Sequence, residues 1–169
     1  MAGRHTDTRD PAAGRASASD RGSDESTSRR HVPATAPERM PVPEPRPGGG
    51  VIRVLVVDDH ALMRRALVGL LAAQDDMEVV AEAGDGASAI RAARRHRPDV
   101  VVMDVKMPGI SGAEATSTIL AERPEIAIVV LSMCDESICG PEMARAGAAT
   151  YVEKSRPPSQ LLDSIRAVV

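Results

Sequence analysis

From Val51 onward, short apolar runs alternate with segments whose apolar residues recur at helical spacing. Ile52 to Val57 is β-branched and aliphatic apart from Arg53, which predicts a buried strand with no wet face. His60 to Ala73 then sets Leu62, Ala66, Leu67, Leu70 and Leu71 at helical spacing. The unit recurs as Glu78 to Ala81 with Ala87 to His96, Val100 to Met103 with Gly112 to Glu122, Ile126 to Leu131 with Pro141 to Ala146, and Thr150 to Val152 with Ser159 to Val168. Arg97-Pro98 and Arg123-Pro124 stop helices, and Gly147 follows a helix end as a left-handed C-cap. Five such units predict a parallel sheet covered by helices on both faces, a doubly wound α/β fold of strand order 2-1-3-4-5.

Residues 1 to 50 break this pattern. They hold seven Pro, six Gly, many Ser, Thr and Ala, and, past Met1, only Val32, Met40 and Val42 as large aliphatic residues. So little apolar surface cannot offset the entropy of ordering, so a disordered tail is expected, ending in the Pro/Gly linker Pro41 to Gly50. Eight Arg against seven acidic residues argue against a basic nucleic-acid arm. The two domains expected are therefore the tail, 1–50, and one globular unit, 51–169. No apolar run approaches the roughly 20 residues of a membrane span, and no secretory h-region opens the chain, which predicts a cytoplasmic protein. Cys134 and Cys139 have no companion ligand cluster and read as free thiols.

Chemistry gathers where the strands end. Asp58-Asp59, Asp104, Ser132 and Lys154 each come directly after, or two residues past, an apolar run. In the order 2-1-3-4-5 the first and third strands are neighbours at the topological switch point, so Asp58 and Asp59 should face Asp104. Clustered carboxylates repel unless neutralised, and oxygen ligands without an imidazole or thiolate set favour Mg²⁺ or Mn²⁺ over Zn²⁺. A plainer role is open too: Asp58 or Asp59 could cap the helix that opens at His60.

Val56-Val57-Asp58-Asp59-His60-Ala61-Leu62, Val102-Met103-Asp104-Val105-Lys106-Met107-Pro108-Gly109, Leu131-Ser132 and Gly147 to Lys154 together resemble the receiver domain of bacterial response regulators. The likeness spans residues 51 to 169 and is greatest to the receivers of LuxR-type, NarL/FixJ-like two-component regulators. It implies a flavodoxin-like (βα)5 fold and a phosphorelay role in transcription regulation. Asp104 would be the phosphoacceptor, taking a phosphoryl group from a sensor histidine kinase. Asp59, Asp104 and the Lys106 main-chain carbonyl would hold Mg²⁺, with Asp58 helping directly or through water. Lys154 would pair with phosphoryl oxygens, while Ser132 and Tyr151 would form the switch. Such a domain is no enzyme beyond its own phosphorylation and dephosphorylation.

Taken singly, these residues have bland readings. Ser132 could start a loop, Lys154 could be a solvated charge, and Tyr151, the chain's only aromatic residue, could fill core. His60 reads as helix surface, and Arg94-Arg95-His96-Arg97 as a solvated complement to a helix C-terminus. Two other functions compete with the switch: a phosphorylation-independent interaction domain, and a hydrolase working through an aspartyl phosphate, for which the connections are short.

One departure from the family pattern concerns output. Cys139-Gly140-Pro141 falls within the usual fourth helix, so that helix is expected to be shortened, starting near Pro141 with Gly140 at its N-cap and Asp135 to Cys139 as loop. Receivers commonly contact a homodimer partner or an effector through helix 4, strand 5 and helix 5, the surface this change would alter. The sequence ends at Val169 with the fifth helix, so no helix-turn-helix DNA-binding domain is expected in this chain.

Overall fold

A computed structural model of the chain describes residues 50–169, and the expected tail and linker lie outside these apart from Gly50. Strands and helices alternate without exception: β1 (Ile52–Val57), α1 (Ala61–Ala72), β2 (Met77–Ala83), α2 (Gly86–His96), β3 (Val100–Met103), α3 (Gly112–Glu122), β4 (Ala127–Ser132), α4 (Glu136–Arg145), β5 (Thr150–Glu153) and α5 (Pro158–Ala167). All pairings are parallel and the order is β2-β1-β3-β4-β5, as the sequence predicts.

Period-two alternation sorts each strand between two cores. Leu55, Val57, Val101, Met103, Ile128 and Val130 pack with residues of α2, α3 and α4, including Ala89, Ile119 and Met143. Val54, Val56, Val100, Val102 and Val129 turn the other way, onto Leu67 and Leu71 of α1 and Leu161 and Ile165 of α5. Each such buried aliphatic side chain contributes about 1.5–3 kcal/mol, so the sheet is held from both sides.

Local chemistry sets the helix starts. Asp85 accepts from the Ser88 N–H at 2.7 Å to open α2, and Ser111 with Glu114 forms the matching capping box of α3. Arg97 (φ 47°) and Gly147 (φ 99°) turn the chain out of α2 and α4 in the left-handed region. The basic cluster at the end of α2 stays on the surface, where Arg94 meets Glu122. The α1 cap differs from the sequence reading: neither Asp58 nor Asp59 is its N-cap, which is His60 with no side-chain cap bond.

Two expectations are overturned around α4. The helix is not shortened to Pro141; it runs unbroken from Glu136 to Arg145 with Pro141 inside it. Its start comes from Asp135, which accepts from the Ser137 N–H at 2.8 Å. Gly140 makes the proline tolerable, because a preceding residue without Cβ removes much of the clash with the proline ring. Nor are the cysteines free thiols: Cys134 and Cys139 form a disulfide, with Cα atoms 6.1 Å apart. Once Asp135 begins the helix, Cys139 lies one turn in and folds back over the residue preceding the cap.

Candidate functional site

The parallel ladder carries on past the strand ends and thereby fixes the rim. The Asp58 N–H donates to the Ala83 carbonyl at 3.1 Å, Asp104 to Val57 at 3.0 Å, and Lys154 to Ser132 at 2.8 Å. Backbone pairing of β1, β3, β4 and β5 thus brings Asp58, Asp104, Ser132 and Lys154 onto one edge, although Lys154 is 50 residues from Asp104 and 96 from Asp58 in sequence.

Lys154 Nζ lies between two carboxylates, donating to Asp58 Oδ2 at 2.6 Å and Asp104 Oδ2 at 2.8 Å. All three side chains are less than a tenth exposed. Burial draws the Lys154 ammonium's pKa down, but its hydrogen bonds to Asp104 and Asp58 and their charges outweigh this and hold it above the usual lysine range. Asp104 Oδ1 also accepts from the Val105 N–H at 2.7 Å, and Asp58 Oδ1 from the His60 N–H at 2.8 Å. The two carboxylates are therefore oriented by backbone as well as by the lysine.

Asp59 is placed differently. It is exposed, and its Oδ1 is 3.2 Å from His60 Nδ1. Ligand atoms of Asp58, Asp59 and His60 lie within 4.8 Å of one another, a grouping able to hold a cation, while Asp104 stands outside that group of three. Asp59 and Lys106 also border a recess of about 580 Å³ together with Met107, Pro108 and Cys139. A Cβ at Gly112, the first residue of α3, would come within 2.1 Å of the Asp104 carbonyl oxygen, so the close approach of α3 to the end of β3 requires glycine.

Ser132 is buried as the last residue of β4, and its Oγ accepts from the Cys134 N–H at 3.2 Å. Tyr151 is half-buried and donates its hydroxyl to the Cys134 carbonyl at 2.7 Å. Burial pushes its phenol above the usual range. Both residues read as switch positions therefore hold the same loop residue. Two participants escaped the sequence reading. Arg64 of α1 donates to the Asp58 carbonyl at 2.6 Å and to Glu82 at 3.3 Å, and no motif marks it. The cysteine pair was signalled only by the helix cap between its members.

Residues 54–166 match the response regulator receiver domain family. The chain is 43% identical over 118 residues to the response regulator GacA of Pseudomonas viridiflava, covering 70% of this chain and 55% of that protein. It is 41% identical to the oxygen regulatory protein NreC of Staphylococcus epidermidis, over 69% of this chain and 54% of that one. A LuxR-family two-component response regulator from Aurantimonas sp. SI85-9A1 superposes with a TM-score of 0.68 at 36% identity, covering 70% and 85% of the two chains. The chain thus spans about half the length of the curated relatives it matches. Among the described residues no helix is long and apolar enough to cross a membrane. Fold, strand-end residues and relatives agree: the chain belongs to the response regulator receiver domain family.

Proposed function

We propose that this receiver accepts a phosphoryl group on Asp104 and uses it to switch a protein-interaction surface. The observation that carries the reading is the Asp104 carboxylate, oriented at the rim by the Val105 N–H and the Lys154 ammonium. The donor would be the phosphohistidine of a sensor histidine kinase. An Asp104 oxygen attacks phosphorus, the nitrogen–phosphorus bond breaks with its electron pair returning to the imidazole, and an aspartyl phosphate results. Lys154 already faces that oxygen, so its charge is available to the transferred group without rearranging water.

Residues at the rim suit a divalent cation. One buried ammonium against the carboxylates of Asp58, Asp59 and Asp104 leaves two negative charges, and the donors are oxygens with at most one imidazole. Asp59, Asp58, Asp104 and the main-chain carbonyl of Lys106 would hold Mg²⁺, or Mn²⁺, which supplies positive charge for the phosphoryl oxygens when bound. Ser132 would donate its hydroxyl to the phosphoryl group, drawing on the loop that Tyr151 also holds. The output would pass through α4, β5 and α5 to a second copy or an effector in the cytoplasm, as part of transcriptional control like that of its regulator relatives.

Incubation of the chain with acetyl phosphate and Mg²⁺, followed by intact mass, checks this. One added phosphoryl group is expected, absent from the Asp104→Asn variant. An unlabelled wild type favours an interaction domain that needs no phosphate. Label surviving in the variant refutes Asp104 as acceptor, and sustained turnover of phosphate esters points to a hydrolase.

A further inference from the structure

Three ties meet at Cys134. Its sulfur is bonded to Cys139 in the first turns of α4, its N–H donates to Ser132 Oγ, and its carbonyl accepts from the Tyr151 hydroxyl. Apart from the cysteines little holds this turn by burial: Met133 and Ile138 are 78% and 74% exposed, while Cys139 is in the core and Cys134 packs partly buried against it. The helix it opens is also weak within, since Pro141 has no N–H for the Ser137 carbonyl. The cross-link is therefore the strongest constraint on the loop that joins the two switch positions.

We infer that Cys134 and Cys139 are a reversible thiol–disulfide site whose redox state governs how readily the loop held by Ser132 and Tyr151 rearranges. Its coupling to phosphorylation rests on the Asp104 reading above. Cys134 is half-buried whereas Cys139 is 8% exposed, so Cys134 is the more accessible of the two residues. A thiolate of a dithiol reductant attacks Cys134 Sγ, the disulfide breaks, and its electron pair leaves on Cys139, which takes up a proton. The reductant's second thiol then attacks the mixed disulfide and releases Cys134, which is protonated in turn. Two electrons and two protons reach the protein, and the dithiol becomes a disulfide.

The consequence follows from local propensity. Without the cross-link, Asp135 to Gly140 is held by the Asp135 cap, the backbone bonds of Ile138 and Cys139 to the Asp135 carbonyl and the buried Cys139 side chain, and Pro141 competes as a favoured first residue of a shorter helix. The reduced loop then moves toward a phosphoryl group on Asp104 at lower cost. Linkage requires the reciprocal effect, that phosphorylation favours the dithiol.

The full chain, oxidised by a mild disulfide reagent and then treated with dithiothreitol, provides the test. Alkylation and intact mass should count no free thiol before reduction and two after; free thiols in the oxidised sample overturn the site. Tyrosine emission reports the loop directly, because Tyr151 is the chain's only aromatic residue. It should change on reduction, and an unchanged spectrum overturns the link to the switch. Labelling by acetyl phosphate should be at least about fivefold faster in the reduced chain, which corresponds to a barrier lower by about 1 kcal/mol. Equal rates overturn the coupling. The Cys134→Ser, Cys139→Ser double variant should label at the reduced rate whatever the reductant, and a reductant effect that persists in it also overturns the coupling. The wild-type comparison stands even where the variant folds poorly. Failure of every form to label rejects the Asp104 reading alone, since thiol count and tyrosine emission still decide the redox site.

Discussion

Lys154 shares one ammonium between two buried carboxylates, Asp58 and Asp104, while Asp59 is left to solvent and His60. The two adjacent aspartates differ accordingly: Asp58 is buried against the lysine, and Asp59, exposed, is the carboxylate that the proposed metal site relies on. Asp59→Ala should therefore lower Mg²⁺ affinity and acetyl phosphate labelling together, about tenfold or more, as removal of a ligand group does. Titration calorimetry finding unchanged Mg²⁺ affinity would refute that ligand assignment. Lys154→Met leaves two buried carboxylates facing each other, and breaking a buried pair costs about 3–5 kcal/mol. Urea unfolding of this variant in chelator should show that loss, and added Mg²⁺ should recover part of it by replacing the missing charge. A variant as stable as the parent in chelator would mean that the ion pair contributes nothing net. None of these contacts is visible in the sequence around Lys154, where a lone lysine reads as surface. Only the family motif and the strand-end register single it out.

At the scale of elements, α4 is where sequence and structure part. Gly140-Pro141 is a strong local stop signal, and a reading from propensity places the helix start there. Asp135 with Ser137 supplies an earlier start, and hydrogen bonds from the Ser137 hydroxyl and N–H hold the Asp135 carboxyl below the usual range. Helical geometry from that cap brings Cys139 to Cys134, and the covalent bond retains the turn that proline opposes. Pro141→Ala restores one backbone hydrogen bond. An interior proline costs about 3 kcal/mol relative to alanine, and its stiffening of the unfolded chain returns up to about 1. The oxidised variant should thus gain about 1–2 kcal/mol in chemical denaturation, a range that allows for the relief Gly140 already gives. A loss of stability instead would show that Pro141 is not a burden on α4. Elsewhere the element boundaries are close to those the periodicity predicts. β2 is the exception, extending to Met77–Ala83 because edge pairing with β1 recruits Met77 at one end and Glu82 and Ala83 at the other.

For the whole molecule, both faces of the sheet are covered by residues between Ile52 and Val169. A chain of residues 50–169 alone should therefore keep the thermal midpoint and the labelling rate of the full chain. A drop of more than a few degrees on removal of residues 1–49 would place part of the stabilising core in that segment. Fold class was legible because it depends on period: β-branched runs with no wet face, alternating with helical spacing, admit few parallel architectures, and the strand order was then chosen from the common doubly wound ones. The acidic and lysine positions were legible as candidates because open α/β sheets place polar groups at strand ends, and the motifs identified the family. Tertiary structure alone decided which charges touch. Lys154 meets Asp58 across 96 residues of sequence, Arg64 reaches the Asp58 carbonyl, and Cys134 finds Cys139. Periodicity is a property of neighbours along the chain, whereas an ion pair, a cap or a disulfide depends on distances of a few ångström. Those distances are set only when the sheet register and the helix starts are fixed together.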